Sequence, residues 1–371
     1  MSKTADHLNV LNCERVITHL LTLIRGQGFK PVMHFELEGV FDATNTRKGL
    51  DYPGVNRALA RLNIDGELKT EFWHNQWEYV SLFRGQTPLK EAQNLANAMQ
   101  VLPRIMQAHG AKKVSLCPVA WAGDKGRYAS GSSAIFSTDT RSVHIPNAIQ
   151  INVSVEDLQG ENLIPKTKLG EWIQYQLLQT SYECCLLFLP EEDAFKRLAL
   201  RKDYALDAEL SSPCVLSGGH QGSIALYKQW GKHNQPMGIE PLFYRADNGV
   251  LSFSADWTKT ARIEHRIGAT SNAYDPFMNV LFILLNVLDA LEQWQSCDGF
   301  PPEFYDKALP ASLHDEDTAI GALTLFEQNT WFSQRIDHYC DSLQSESGDS
   351  FGEMLKANFV QRFRPQFVTQ V

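Results

Sequence analysis

His34-Phe-Glu-Leu-Glu-Gly-Val-Phe41 is the stretch from which the rest of the chain can be read. In an extended backbone successive side chains point to opposite faces. Val32, His34, Glu36, Glu38 and Val40 then share one face, and Met33, Phe35, Leu37 and Phe41 share the other. A strand over 31–41 with one apolar face predicts a sheet covered on one side, with two carboxylates side by side on the other. Carboxylates that point the same way repel, and a charge taken out of water is costly unless it is paired or metal-bound. A solvated strand face is the plain alternative, and Glu-x-Glu alone does not decide between the two.

Upstream, Val10, Leu11, Val16, Ile17, Leu20, Leu21 and Ile24 have helical spacing, and Gly26 and Gly28 end the helix they predict. Downstream the pattern predicts a short helix over 53–62, a strand over 71–82, a strong helix over 88–109 ended by Gly110, and a strand over 113–118. Residues 122–147 are rich in Gly, Ser, Thr and Asp and read as a long loop, a candidate lid. Strands are expected over 148–155, 183–189, 239–253 and 261–267, and a helix over 169–179. The stretch 213–234 stays undecided. A core helix over 276–292 and helices over 313–342 and 351–363 complete the C-terminal half. No internal repeat and no shift in composition forces a domain boundary.

The 371 residues carry a net charge of −9, so the surface as a whole repels nucleic acid and anionic membranes. The longest apolar stretch, Phe277 to Leu291, contains Asn279, Asn286 and Asp289 and is too short and too polar to cross a bilayer. The N-terminus lacks a secretory signal pattern. Seven irregularly spaced cysteines do not form a disulfide framework, and Cys184-Cys185 reads as a buried thiol pair. A reducing, cytoplasmic setting is expected.

Two further groups of charged residues match the Glu36–Glu38 pair. Glu71 and Glu78 bracket Phe-Trp-His-Asn-Gln-Trp, and Arg262, Glu264 and Arg266 lie on one face of a second strand. Alone, the latter reads as a surface ladder of ion pairs. Taken together, inward glutamates with arginines nearby are what phosphoryl transfer requires. Hard divalent ions take carboxylate oxygens, and arginines steady phosphate charge. Among the histidines, His34 shares the face of the carboxylate pair, His265 points to the opposite sheet face, and His220 in Ser217-Gly-Gly-His is a candidate base or a plain loop residue. Cys117, before a proline, reads as core.

In order, these segments resemble the catalytic domain of glutamine synthetase, from about residue 31 to 345. His34-Phe-Glu-Leu-Glu-Gly-Val-Phe is similar to the family's Glu-x-Glu strand, and Glu71-Phe-Trp-His-Asn-Gln-Trp-Glu78 to its next glutamate segment. Ala261-Arg-Ile-Glu-His-Arg-Ile-Gly followed by Asp275-Pro-Phe resembles the Arg-x-Glu-x-Arg and Asn-Pro-Tyr signature, and Leu309-Pro-Ala-Ser-Leu313 its C-terminal Leu-Pro-x-Ser-Leu. The resemblance implies an α+β fold, a curved antiparallel sheet with flanking helices and a helical C-terminal cap. An N-terminal helix over 1–30 would precede a catalytic domain over 31–371, with its helical portion over 300–371. It implies a carboxylate–amine ligase that uses ATP and Mg²⁺ or Mn²⁺ to activate an acid such as glutamate as an acyl phosphate for attack by an amine, and that assembles as a homo-oligomer. Glu38, Glu71 and Glu78 would hold one metal, and Glu36, Glu264 and Gln150 the other. Lys259 and Arg262 would contact ATP, and Arg266 the transferred phosphoryl group.

The departures are specific. The family's small N-terminal β-grasp domain has no counterpart, since only one helix precedes Val32. Gln150 of Ile149-Gln-Ile-Asn-Val-Ser stands where the family has a metal-binding histidine, a strand more similar to that of plant-type glutamate–cysteine ligases. The arginine-bearing stretch before the signature is reduced to Asp247-Asn-Gly-Val-Leu-Ser, with Arg245 as a possible substitute, and Gln229 falls near the substrate-carboxylate arginine. A binding or regulatory protein, or a phosphotransferase that forms no amide, is the alternative.

Overall fold

The strand expected over 31–41 is longer at both ends: it runs Phe29–Ala43 (β1) and pairs on both sides. The computed structural model describes residues 3–44, 49–71, 75–82, 85–122, 143–199, 223–232, 236–246, 249–305, 307–341 and 350–364. In chain order the further strands are β2 (Gly66–Thr70), β3 (Gln76–Ser81), β4 (Ala111–Ser115), β5 (Val119–Ala122), β6 (Val143–Pro146), β7 (Ile149–Asp157), β8 (Ile224–Tyr227), β9 (Ile239–Ala246), β10 (Gly249–Asp256) and β11 (Arg262–His265). Among the described residues the main sheet has the order β2-β3-β1-β7-β11-β8, with β4 also on β1, and all its pairings are antiparallel. The helices are α1 (Lys3–Gly26), α2 (Tyr52–Arg61), α3 (Pro88–Ala108), α4 (Leu169–Ser181), α5 (Glu192–Ala199), α6 (Pro276–Ser296), α7 (Ala322–Gln328), α8 (Trp331–Tyr339) and α9 (Phe351–Val360). The architecture is an α+β fold with an open, curved sheet.

Alternation along β1 sends Met33, Phe35 and Leu37 to one side, where they join Tyr79, Ile151, Val153 and Ile263 in a single core. Each such side chain contributes about 1.5–3 kcal/mol when fully buried. The helices α1, α3 and α4 pack around α6 on that side. From Pro276 to Leu291 every residue of α6 is buried, and its polar side chains are bonded inside: Asn279 Nδ2 to the Leu187 carbonyl, Asn286 Nδ2 to the Phe282 carbonyl, and Asp289 accepting from Trp331 and Tyr339. Against the expectation from residues 277–291, the helix runs on to Ser296 and is long and apolar enough to cross a membrane by length and composition, yet most of it is buried as the core helix of this fold. Asp275 starts it, accepting from the amides of Phe277 and Met278 at 3.1 and 3.2 Å while Pro276 takes the first turn.

Two glycines let strands come close. A Cβ on Gly39 would meet the Trp77 ring at 2.4 Å, and one on Gly268 would meet the Ile149 carbonyl at 2.4 Å. Gly39 therefore admits the Trp77 ring, and Gly268 lets the end of the signature strand pass against β7.

Several expectations are corrected. Residues 183–189 form no strand but a buried 3₁₀ turn at Cys185–Leu187, since a short apolar run reads the same for a buried strand and a buried turn. The strand expected over 71–82 is the second arm of a hairpin whose first arm, β2, is hidden by its polar Glu67, Lys69 and Thr70. Residues 239–253 split into β9 and β10, which form a two-stranded sheet of their own. The undecided 213–234 contains β8, and α5 was not anticipated. Cys184 and Cys185 are buried free thiols, and the described cysteines form no disulfide.

Candidate functional site: an acidic sheet face

Register places the charged residues opposite one another. Glu38 pairs across from Glu78 on β3, Glu36 from Gln150 on β7, and Glu264 on β11 from Asn152 on β7. Directly opposed residues in an antiparallel pair share a face. Glu36, Glu38, Glu78, Gln150, Asn152 and Glu264 therefore stand together on the side of the sheet away from the helical core. Glu71 joins them from the turn between β2 and β3, where its amide bonds the Gln76 carbonyl at 3.1 Å.

Glu36 and Glu264 are both buried, Glu264 completely. The Lys232 ammonium donates to Glu36 Oε2 at 2.9 Å, and Asn152 Nδ2 donates to Glu36 Oε1 at 3.1 Å. Burial would raise the Glu36 carboxyl, but Lys232 and Arg262 outweigh it and hold it below the usual carboxylate range. Arg262 and Arg266 flank Glu264 at 3.5 and 3.6 Å, each on a different carboxylate oxygen. Burial and Glu36 push the Glu264 carboxyl up, opposed by Lys232 and both arginines. Both guanidinium groups present N–H to it. Arg262 is further fixed by a bond from Nε to Asn152 Oδ1 at 2.5 Å and by the Tyr227 ring, 4.7 Å from the guanidinium carbon.

Gln150 stands between the two buried carboxylates, its amide end 2.7 Å from Glu264 Oε1 and 3.2 Å from Glu36 Oε2. The two ends of an amide are told apart by their partners: beside carboxylates alone the nitrogen is assigned to that end, and beside a cation the oxygen would be.

The other carboxylates are differently placed. Glu38 Oε2 accepts from the Ala148 amide at 2.8 Å and from Gln76 Nε2 at 3.4 Å. Burial and Glu71 push the Glu38 carboxyl up to about 7. Burial, then Glu36 and Glu71, push Glu78 up to about 8. Among the described residues, no group of three or more His, Cys, Asp or Glu is already arranged to hold a metal ion. The six expected ligands share a face without forming a closed cage.

Lys259 lies exposed in the turn Trp257–Thr260 and lines a small cleft with His34, Ser154, Thr260 and Arg262. His34 is buried at that cleft, and burial with Arg262 and Lys232 holds it neutral, its pKa well below the usual value. Arg245 sits on β9 opposite Val250, off the main sheet, and its side chain lies outside the described residues. So do His220, residues 247–248 and most of the loop expected over 122–147. The flanks of that loop, β5 and β6, pair with each other and close beside Glu38, where Gln76 Nε2 also reaches the Pro146 carbonyl at 3.1 Å. Gln229 is exposed, and its carbonyl accepts from Met237. His265 faces the core as expected, against Phe188 and within 3.2 Å of Ser181 Oγ. Sequence reasoning missed Asn152 and Lys232. Asn152 could have been found, being two residues after Gln150 on the same strand. Lys232 lies in a loop past β8 and carries no pattern.

An antiparallel sheet with this helical packing and this acidic face defines a glutamine-synthetase-like catalytic fold. No protein-family model and no curated protein matches the sequence. The fold is similar to a solved "novel glutamine synthase homolog", with a TM-score of 0.60 at 15% identity over 95% of this chain and 70% of that one. It is similar to GmaS solved without ligand, with a TM-score of 0.53 at 13% identity over 94% and 73% of the two chains. Plasmodium falciparum glutamine synthetase gives a TM-score of 0.52 at 12% identity over 96% and 78%.

Proposed function

We propose that this chain is an ATP- and Mg²⁺-dependent ligase that joins a carboxylate, glutamate or an analogue, to an amine through an acyl phosphate. One observation carries the reading: Glu36, Glu38, Glu78 and Glu264 meet Arg262 and Arg266 on a single face of a glutamine-synthetase-like sheet. That fold hosts ATP-dependent ligation.

The donor chemistry fits one divalent ion and not two. Burial raises the Glu38 and Glu78 carboxyls, and the charges of Glu71 and Glu36 add to both, an excess of negative charge that a hard cation relieves. Bound there, the ion would neutralise phosphate charge. Around Glu36 and Glu264 the oxygens already face nitrogen donors, and no role is assigned to an ion between them. Arg262 and the exposed Lys259, which line the same small cleft, would receive ATP phosphates. Arg266, beside Glu264, would steady the transferred phosphoryl group.

The test is ADP release across a panel of carboxylates and amines with and without Mg²⁺. Release that requires both the metal and a carboxylate, with amide formed when amine is present, supports the ligase. Absence of ADP from every combination overturns it, and a stable phosphorylated product with no amide assigns a phosphotransferase instead. The Lys232–Glu36 pair favours a second reading, a binding or regulatory protein, because a site already neutralised has less need of catalytic ions. Thermal melting separates the two further, since ATP and Mg²⁺ at one hundred times their Kd add about 2.7 kcal/mol to a protein that binds them.

A further inference from the structure

We propose that the ammonium of Lys232 is a built-in cation that takes the place of a second divalent ion between Glu36 and Glu264. Together with the ligase reading, on which the remaining ion rests, this means that the chain binds one divalent ion rather than two.

The geometry is that of a filled cation position. Lys232 Nζ lies 2.9 Å from Glu36 Oε2, an ammonium–carboxylate hydrogen-bond distance, and Glu264 and Glu78 are its other acidic neighbours. The Gln150 amide nitrogen closes the same space, 2.7 Å from Glu264 Oε1 and 3.2 Å from Glu36 Oε2. The remaining oxygens are taken as well. Glu36 Oε1 accepts from Asn152 at 3.1 Å, and Glu264 Oε2 faces Arg262 at 3.5 Å. A Mg²⁺ ion needs bare oxygen lone pairs at about 2.0–2.1 Å in octahedral array and gives up its water reluctantly. Here it would have to expel a tethered ammonium.

Charge balance points the same way. Lys232, Arg262 and Arg266 supply three positive charges beside Glu36, Glu264 and Glu78, so these carboxylates are already balanced without a divalent ion. Lys232 is held by its own backbone, so its positive charge does not depend on the supply of free ion. The one-ion state is a property of the chain.

The experiment counts Mn²⁺ bound to the intact chain by electron paramagnetic resonance of the free ion, with circular dichroism to confirm folding. Wild type is expected to bind one Mn²⁺ per chain, Lys232→Met two, and Lys232→Arg, which keeps the charge, one. Lys232→Gln carries the same expectation as the methionine variant if that variant does not fold. Two ions in wild type overturn the proposal, as does a Lys232→Met or Lys232→Gln count no higher than wild type. No ion in wild type but one in Lys232→Met upholds the role of Lys232 and removes only the ion of the ligase reading. No ion in either protein removes both.

Discussion

The acidic face divides into two regions a single strand register apart. Around Glu36 and Glu264, a lysine, two arginines and two side-chain amides surround a pair of buried carboxylates. Around Glu38, Glu71 and Glu78, burial and the neighbouring charges of Glu71 and Glu36 push the Glu38 and Glu78 carboxyls up, with a backbone amide and Gln76 as hydrogen-bond donors to Glu38. Both regions are built from the same residue type on the same strand, so glutamate content does not set their behaviour. What differs is how much positive charge the fold delivers: Lys232 and Arg262 hold Glu36 below the usual carboxylate range, whereas Arg197 near Glu38 and Lys232 near Glu78 are outweighed by burial and acidic neighbours. The first region is stable as it stands, and the second is the one that would gain from a ligand.

The contrast has measurable consequences, and the largest is expected in the neutralised region. Glu264→Gln removes the charge that Arg262 and Arg266 face inside the protein. Breaking a buried ion pair from one side costs about 3–5 kcal/mol, and urea unfolding should register a loss of that size. A loss under about 1 kcal/mol would mean that the arginines rely on other partners.

The crowded region should reveal itself through pH. Glu38 and Glu78 have folded pKa values of about 7 and about 8, above their value of 4.5 when unexposed to the fold. Between these limits the folded state binds more protons than the unfolded one, so stability falls as pH rises. The metal-free chain should lose on the order of 5 kcal/mol between about pH 5 and pH 8, and Mg²⁺ should restore much of it at the upper end. Denaturation curves at the two pH values, with and without Mg²⁺, check this. A metal-free protein that gains stability over the same range would contradict the assignment.

A smaller effect of opposite sign is expected at Glu78→Gln, which removes a carboxylate from the crowded set. Metal-free stability at pH 8 should rise by about 1 kcal/mol, while the Mg²⁺-induced shift in melting temperature should vanish. At the edge of the face, Lys259→Ala touches an exposed side chain and should change stability by less than about 0.5 kcal/mol. It should weaken ATP binding about tenfold, or about 1.4 kcal/mol, by calorimetric titration.

Much of the site was legible because strands alternate. The spacing of Glu36 and Glu38, and of Arg262, Glu264 and Arg266, placed each set on one face, as the structure has them. The same rule turned His265 to the core, where it packs on Phe188. Less was legible where the backbone is irregular. The apolar run 183–189 folds as a turn, since burial constrains its composition but not its period. The role of Gln150 was not legible from its place in the strand, because an amide offers both an acceptor and donors, and its neighbours choose between them.

The sequence by itself determined which side chains share a strand face and which helix is buried on every side, because both follow from local periodicity. Only the tertiary structure decided that β7 lies between β1 and β11, bringing Gln150 and Asn152 between Glu36 and Glu264, and that a loop beyond β8 carries Lys232 to the same place. Strand order and loop paths are set by long-range packing, so the sign of the charge delivered to each carboxylate is a property of the whole fold.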